Sequence, residues 1–174
     1  CIEKNYIPLK FKEAKVIPLF KSGSPSDPCN YRPISILSAI AKPIEKHLQR
    51  CLYSYVDRNE LLHNDQSGFR KKHSCHTTLI QLTDDLLSNI NENKFTGLIF
   101  IDFQKAFDVI KHSVLLQKLE ILKLPPDFVS LMSSFLTDRK QCVVINDKMS
   151  RLIPTNYGVP QGSVLGPLLL SIYV

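Results

Sequence analysis

Apolar residues recur along this chain in three rhythms, and each predicts a different element. Steps of three and four carry Ile36, Leu37, Ile40, Ile44, Leu48, Leu52 and Tyr55, the spacing of an amphipathic helix. Pro43 either kinks that helix or lies in its first turn. The same spacing marks Leu79, Leu82, Leu86 and Ile90, with Asp84 and Asp85 turned to water. It recurs in Leu115, Leu119 and Leu122 and, beyond a break at Pro125-Pro126, in Phe128, Leu131, Met132 and Phe135. Short β-rich runs form the second rhythm. Lys15 to Lys21 reads as a strand that Pro18 places at an edge, and Gln141 to Ile145 as another, followed by a hairpin turn at Asn146-Asp147-Lys148. The third is the unbroken run from Gly97 to Phe103, interrupted only by Asp102 near its end, which reads as a buried central strand. Residues 22–28 are turn chemistry throughout and predict a loop. The expected class is α+β, helices packed on a small sheet with an acidic residue near its centre.

Composition narrows the class without changing it. A chain of 174 residues with 44% hydrophobic residues can bury one sizeable core. The formal charge of +6 favours a polyanionic partner. Cys1, Cys29, Cys51, Cys75 and Cys142 are scattered and odd in number, which suits reduced intracellular thiols better than a disulfide scaffold or a zinc site. No apolar run approaches the roughly 20 residues of a membrane span, and the polar start is no signal peptide. The chain opens on Cys and closes inside an apolar helical pattern, so the expectation is a piece of a longer reading frame.

Two stretches carry chemistry. Gly158-Val159-Pro160-Gln161-Gly162-Ser163 is a rigid turn that delivers one amide side chain to a fixed point, with bare backbone on each side. Phe100-Ile101-Asp102-Phe103-Gln104-Lys105-Ala106-Phe107-Asp108 ends an apolar strand pattern on a carboxylate. Such a placement is costly unless the group is paired, caps a helix or binds a metal. The first stretch resembles the palm motif of reverse transcriptases that lies under the incoming nucleotide. Its continuation, Val164-Leu165-Gly166-Pro167-Leu168-Leu169, resembles the version in non-LTR (LINE-type, jockey-like) retrotransposons. The second stretch resembles the first catalytic motif of the same enzymes.

The resemblance implies a right-hand polymerase, with fingers over about residues 11–95 and the first half of the palm over 96–174, its helices on a small antiparallel sheet. The activity implied is RNA-directed DNA synthesis, with an RNA template, a DNA primer and deoxynucleoside triphosphates as partners. Asp102 matches the metal-binding aspartate and Phe103 the residue whose backbone carbonyl joins it and whose side borders the nucleotide. Two Mg²⁺ ions, with Mn²⁺ as the alternative, are the implied cofactors, since hard oxygen donors suit them. Phe107 matches the aromatic gate against a 2′-hydroxyl; Asp108 reads as a helix-start or ion-pair residue. Gln161 and Gly162 match the residues at the nucleotide and the template–primer pair. Lys21, and Arg32 in Tyr31-Arg32-Pro33-Ile34-Ser35, resemble the cations that hold the triphosphate. Arg70 and Lys71, in Gln66-Ser67-Gly68-Phe69-Arg70-Lys71, resemble template-phosphate contacts. The scattered histidines receive no role, and no protein partner follows from the sequence.

The likeness runs from about Phe11 to Val174, with small departures at Phe11, at Val109-Ile110-Lys111 and at Leu170-Ser171. The family's Tyr/Phe-Ala-Asp-Asp hairpin, which supplies further metal carboxylates, is not in these residues, and Asp84-Asp85 stands in the wrong context to replace it. A second expectation therefore stands beside the polymerase: a catalytically inactive remnant with residual nucleic-acid binding. Within the polymerase class, group II intron and telomerase enzymes rank below the non-LTR reading, and an intracellular location, nuclear or cytoplasmic, is implied.

Overall fold

A computed structural model describes residues 2–174. Strands β1 (Glu13–Phe20) and β2 (Tyr31–Ile36) form an antiparallel hairpin with Val16 opposite Ser35 and Leu19 opposite Arg32. Four helices follow, α1 (Ala41–Arg58), α2 (Cys75–Asn91), α3 (His112–Ile121) and α4 (Pro126–Leu136). The chain then returns to the sheet as β3 (Arg139–Ile145), β4 (Lys148–Met149) and β5 (Ile153–Thr155), and closes on α5 (Gly166–Tyr173). The sheet order is β2-β1-β3-β4, with β5 also paired to β3.

This sheet is mixed rather than antiparallel as expected, because β1 and β3 run parallel over Glu13–Val16 and Lys140–Val143. Parallel neighbours need a long crossover, and the four helices supply it. For the same reason β1 is not an edge strand: β2 and β3 flank its first half. Pro18 is tolerated because it lies beyond the β3-paired stretch, opposite Pro33 of β2. Strand β2 was not apparent from periodicity, since its Tyr-Arg-Pro-Ile-Ser-Ile run gives no clean alternation. Asn146 and Asp147 both take positive φ at the β3–β4 turn, as a two-residue hairpin requires.

The core lies among helices. Leu48, Leu52 and Val56 of α1 meet Leu115 and Leu119 of α3, Met132, Phe135 and Leu136 of α4, and Leu169 and Ile172 of α5. Burying each such side chain contributes about 1.5–3 kcal/mol. Helix α1 begins five residues later than its apolar pattern, because Ile36 belongs to β2; Pro43 sits in the first turn, where its missing N–H costs nothing. Pro126 opens α4 in the same way.

One expectation fails, and a second is met in its element but not in its packing. Residues 97–103 form no strand and stand in solvent, with Phe100 83% exposed and Ile99 90%. A strand is held by its neighbours, and no ladder partner flanks this stretch among the described residues. Helix α2 is well started, since Ser74 and Thr77 make a reciprocal capping box, yet it buries no residue. Periodicity specified its apolar face but supplied nothing to pack on it.

Candidate nucleotide site

Three backbone contacts join the two motif-bearing stretches. Gly158 N donates to Ile110 O and Val159 N to Phe107 O, both at 2.8 Å, and Lys111 bridges to Tyr157. Gly158 has φ +78°, and a Cβ there would lie 2.7 Å from Phe107 O and 2.9 Å from Asp108 Cα. Only glycine lets the strands of chain approach so closely. His112, to which the sequence assigned nothing, places Nε2 2.7 Å from Gly158 O and closes the junction.

Beyond the junction the Gln161 loop is fastened on two sides. Ser35 N of β2 donates to Gln161 O at 2.7 Å. Gly162, at φ +126°, lies so close to β2 that a Cβ would meet Ser35 O at 2.5 Å. On the other side the Glu45 carboxylate of α1 accepts from Val164 N at 2.8 Å, and Gly166 N donates to Ser163 Oγ at 2.8 Å. The loop thus reaches α5 with the N–H groups of Ser163, Val164 and Gly166 bonded, and the acid near the helix start complements the helix dipole.

Glu45 was missed by sequence reading, although its place on the apolar face of α1, four residues after Ala41 and three before Leu48, was a signal. It is 3% exposed, and burial raises its carboxyl above the ordinary value while the Val164 bond and Arg139 oppose that rise. Arg139, also 3% exposed, is pulled down to about 10 by burial, with Glu45 acting against the shift. Its Nη1 donates to Phe135 O at 3.0 Å, its guanidinium lies over the Phe135 ring, and its Nη2 has no partner.

Around this frame several anticipated residues converge. Gln161 and Phe107 are half-buried, and the Phe69 ring stands edge-on to Phe107 at 6.2 Å. Gln161 Nε2 lies 3.4 Å from each carboxylate oxygen of Asp108. Asp108 neither starts a helix nor joins an ion pair among the described residues, which corrects its expected role. Burial raises its carboxyl, while Gln161, Lys105 and Lys21 hold it down, so Lys21 acts electrostatically on this site. Lys21 N is tied to Asn30 O at 2.8 Å at the end of the β1–β2 hairpin, two residues from Arg32, which is exposed.

Other residues are not brought together. Asp102 and Phe103 lie on the exposed 97–103 stretch. No group of three or more His, Cys, Asp or Glu side chains fit to hold a metal occurs among the described residues. The donor set present, one free-standing aspartate, therefore does not by itself fit a two-ion centre. Arg70 and Lys71 sit apart from Gln161's loop in the contacts they make. Arg70 Nη1 donates to His63 O and Asn64 O, and the Lys71 ammonium lies 4.7 Å over the Tyr53 ring. They border a groove of about 380 Å³ with Arg50, Asp57, Lys72 and His73. No helix among the described residues is long and apolar enough to cross a membrane.

Comparison with known proteins bears on the family of the chain. Residues 21–174 match the family described as Reverse transcriptase (RNA-dependent DNA polymerase). The chain is 34% identical over 170 residues to the probable RNA-directed DNA polymerase from transposon BS of Drosophila melanogaster, covering 97% of this chain and 19% of that protein. It is 33% identical over 173 residues to the RNA-directed DNA polymerase from mobile element jockey of the same species, covering 99% and 19%. The probable polymerase from transposon X-element is 31% identical over 173 residues, with the same coverage of 99% and 19%. The chain thus spans about a fifth of the length of these curated relatives. With the matched stretch covering nearly all of its residues, the chain belongs to the reverse transcriptase family.

Proposed function

We propose that this chain is the nucleotide-facing part of an RNA-directed DNA polymerase of a non-LTR retrotransposon, extending a primer 3′-hydroxyl with deoxynucleoside triphosphates on an RNA template. The observation that carries this reading is the junction of residues 107–111 with 157–159, which sets Phe107 and Asp108 beside Gln161. In this reading residues 11–95 are fingers and 96–174 the first half of the palm. Phe107 gates the sugar, Gln161 and Gly162 place the nucleotide against the template–primer pair, and Lys21 and Arg32 neutralise the triphosphate. Arg70 and Lys71 take template phosphates, adding salt-sensitive affinity without sequence preference. Asp102 and the Phe103 carbonyl are the chain's share of a divalent-metal site, Mg²⁺ being the ion of choice; further carboxylates come from polypeptide outside these residues. Such a polymerase works inside the cell, in nucleus or cytoplasm.

A primer-extension assay on the intact polymerase that contains this segment tests the reading. Wild type should copy an RNA template, and Asp102→Asn should abolish copying while leaving thermal unfolding unchanged, since Asp102 is exposed. Synthesis by the Asn variant at the wild-type rate would sink the assignment. A second reading, an inactive nucleic-acid-binding remnant, draws on the solitary placement of Asp102. It gains if no intact reading frame yields a polymerase while the 174-residue chain still binds RNA.

A further inference from the structure

Asp108 presents a problem that the polymerase reading leaves open: a carboxylate where Lys21 and Lys105 gather positive charge would repel a triphosphate unless it serves another purpose. Its surroundings supply that purpose. Asp108 N donates to Lys105 O at 2.8 Å, and the bare Gly158 packs against its Cα and carbonyl, so its backbone is fixed. Gln161 is fixed independently through its carbonyl to Ser35. From these two anchored positions the side chains meet, with Gln161 Nε2 equidistant at 3.4 Å from both Asp108 oxygens.

A primary amide has a donating and an accepting end, and rotation by half a turn about its last bond exchanges them at little steric cost. A carboxylate can only accept. Contact with Asp108 therefore selects one of the two orientations, with the NH₂ turned to Asp108 and Oε1 turned away from it. We propose that Asp108 is the positioning residue of Gln161, and that it presents the amide carbonyl, an acceptor, to a hydrogen-bond donor on the incoming nucleotide. This inference rests on the polymerase reading, in which Gln161 meets the nucleotide. The half-buried setting keeps water from competing fully for the carboxylate.

The test is a double-mutant cycle in the intact polymerase, reading KM and kcat for the nucleotide separately. Asp108→Asn keeps the shape but can donate to Oε1, which frees the amide to turn. It should raise KM about tenfold, the order of one lost hydrogen bond to a charged group, with a smaller change in kcat. Asp108→Ala should do the same in wild type and nothing further in a Gln161→Ala background. Equal fold-losses in both backgrounds, or an Asn variant with wild-type KM, would overturn the proposal. If wild type copies no RNA, the polymerase reading fails on its own, and the pairing is read from the Gln161 side-chain NH₂ signals by ¹⁵N NMR of the same protein. Those signals should shift in Asp108→Asn; identical spectra in that region would overturn the pairing as well.

Discussion

Replacing Gly158 by alanine puts a single methyl group at the junction on which the site depends. The new Cβ would stand 2.7 Å from Phe107 O and 2.9 Å from both Asp108 Cα and Asp108 O. All three are backbone atoms, so no side chain can swing aside. Placing an alanine at φ +78° costs about 1–2 kcal/mol on its own. Relieving the clash parts the segments and strains or breaks the Gly158 N–Ile110 O and Val159 N–Phe107 O bonds, another 1–2 kcal/mol or so for the two. The expected loss is about 2–4 kcal/mol. At a urea dependence of about 2 kcal/mol per molar, that moves the unfolding midpoint down by about 1–2 M. Urea unfolding of the purified 174-residue chain, followed by circular dichroism, measures it. Gly68→Ala is the control, because a Cβ there meets nothing within 4 Å and should shift the midpoint little. Equal midpoints for the two variants, with equal slopes, would refute the reasoning. They would mean that the two motifs are not held at the distance described.

Glu45→Gln keeps an acceptor for Val164 N but leaves the buried Arg139 without its nearby negative charge, while Glu45→Ala removes both. The alanine variant should lose about 1–3 kcal/mol, the cost of leaving the Val164 N–H without its acceptor, and an unchanged stability would contradict the buried placement. Burial lifts the Glu45 carboxyl in the folded state above its unfolded value near 4.5, so its favourable contribution is full below that pH. It is lost as pH rises through the folded value. Stability measured from pH 4 upwards should therefore fall more steeply in wild type than in Glu45→Gln, and parallel curves would exclude the shift. At the groove, Lys71→Ala should weaken RNA binding and reduce the salt slope by about one, with only the small drop in thermal midpoint expected from losing its contact with the Tyr53 ring. Arg70→Ala should also lower stability, because Arg70 Nη1 holds the carbonyls of His63 and Asn64. Fluorescence anisotropy at several salt concentrations, beside thermal melts, separates the two; identical behaviour of the variants would contradict the distinction.

Local pattern in the sequence carried a good part of this molecule. The helices α1, α2, α3 and α4 follow from apolar spacing and the β3–β4 hairpin from Asn146-Asp147, while Phe107 and Gln161 are candidates chosen by the order of short motifs. These features depend on residues a few positions apart, and periodicity reports such relations directly. Tertiary structure decided who meets whom. Asp108 and Gln161 stand 53 residues apart in sequence, and Glu45 and Val164 stand 119 apart. No local rule pairs them; the fixed approach of backbone at Gly158 and the docking of α1 against the start of α5 do. The failure over residues 97–103 has the same cause in reverse. An apolar run states a preference for burial, but a strand forms only where another chain segment offers hydrogen bonds and a face to cover it. Sequence alone thus determined which residues this protein has available for chemistry. The fold determined that Gln161, Asp108 and Phe107 share one place, because proximity across the chain is a property of packing and not of spacing.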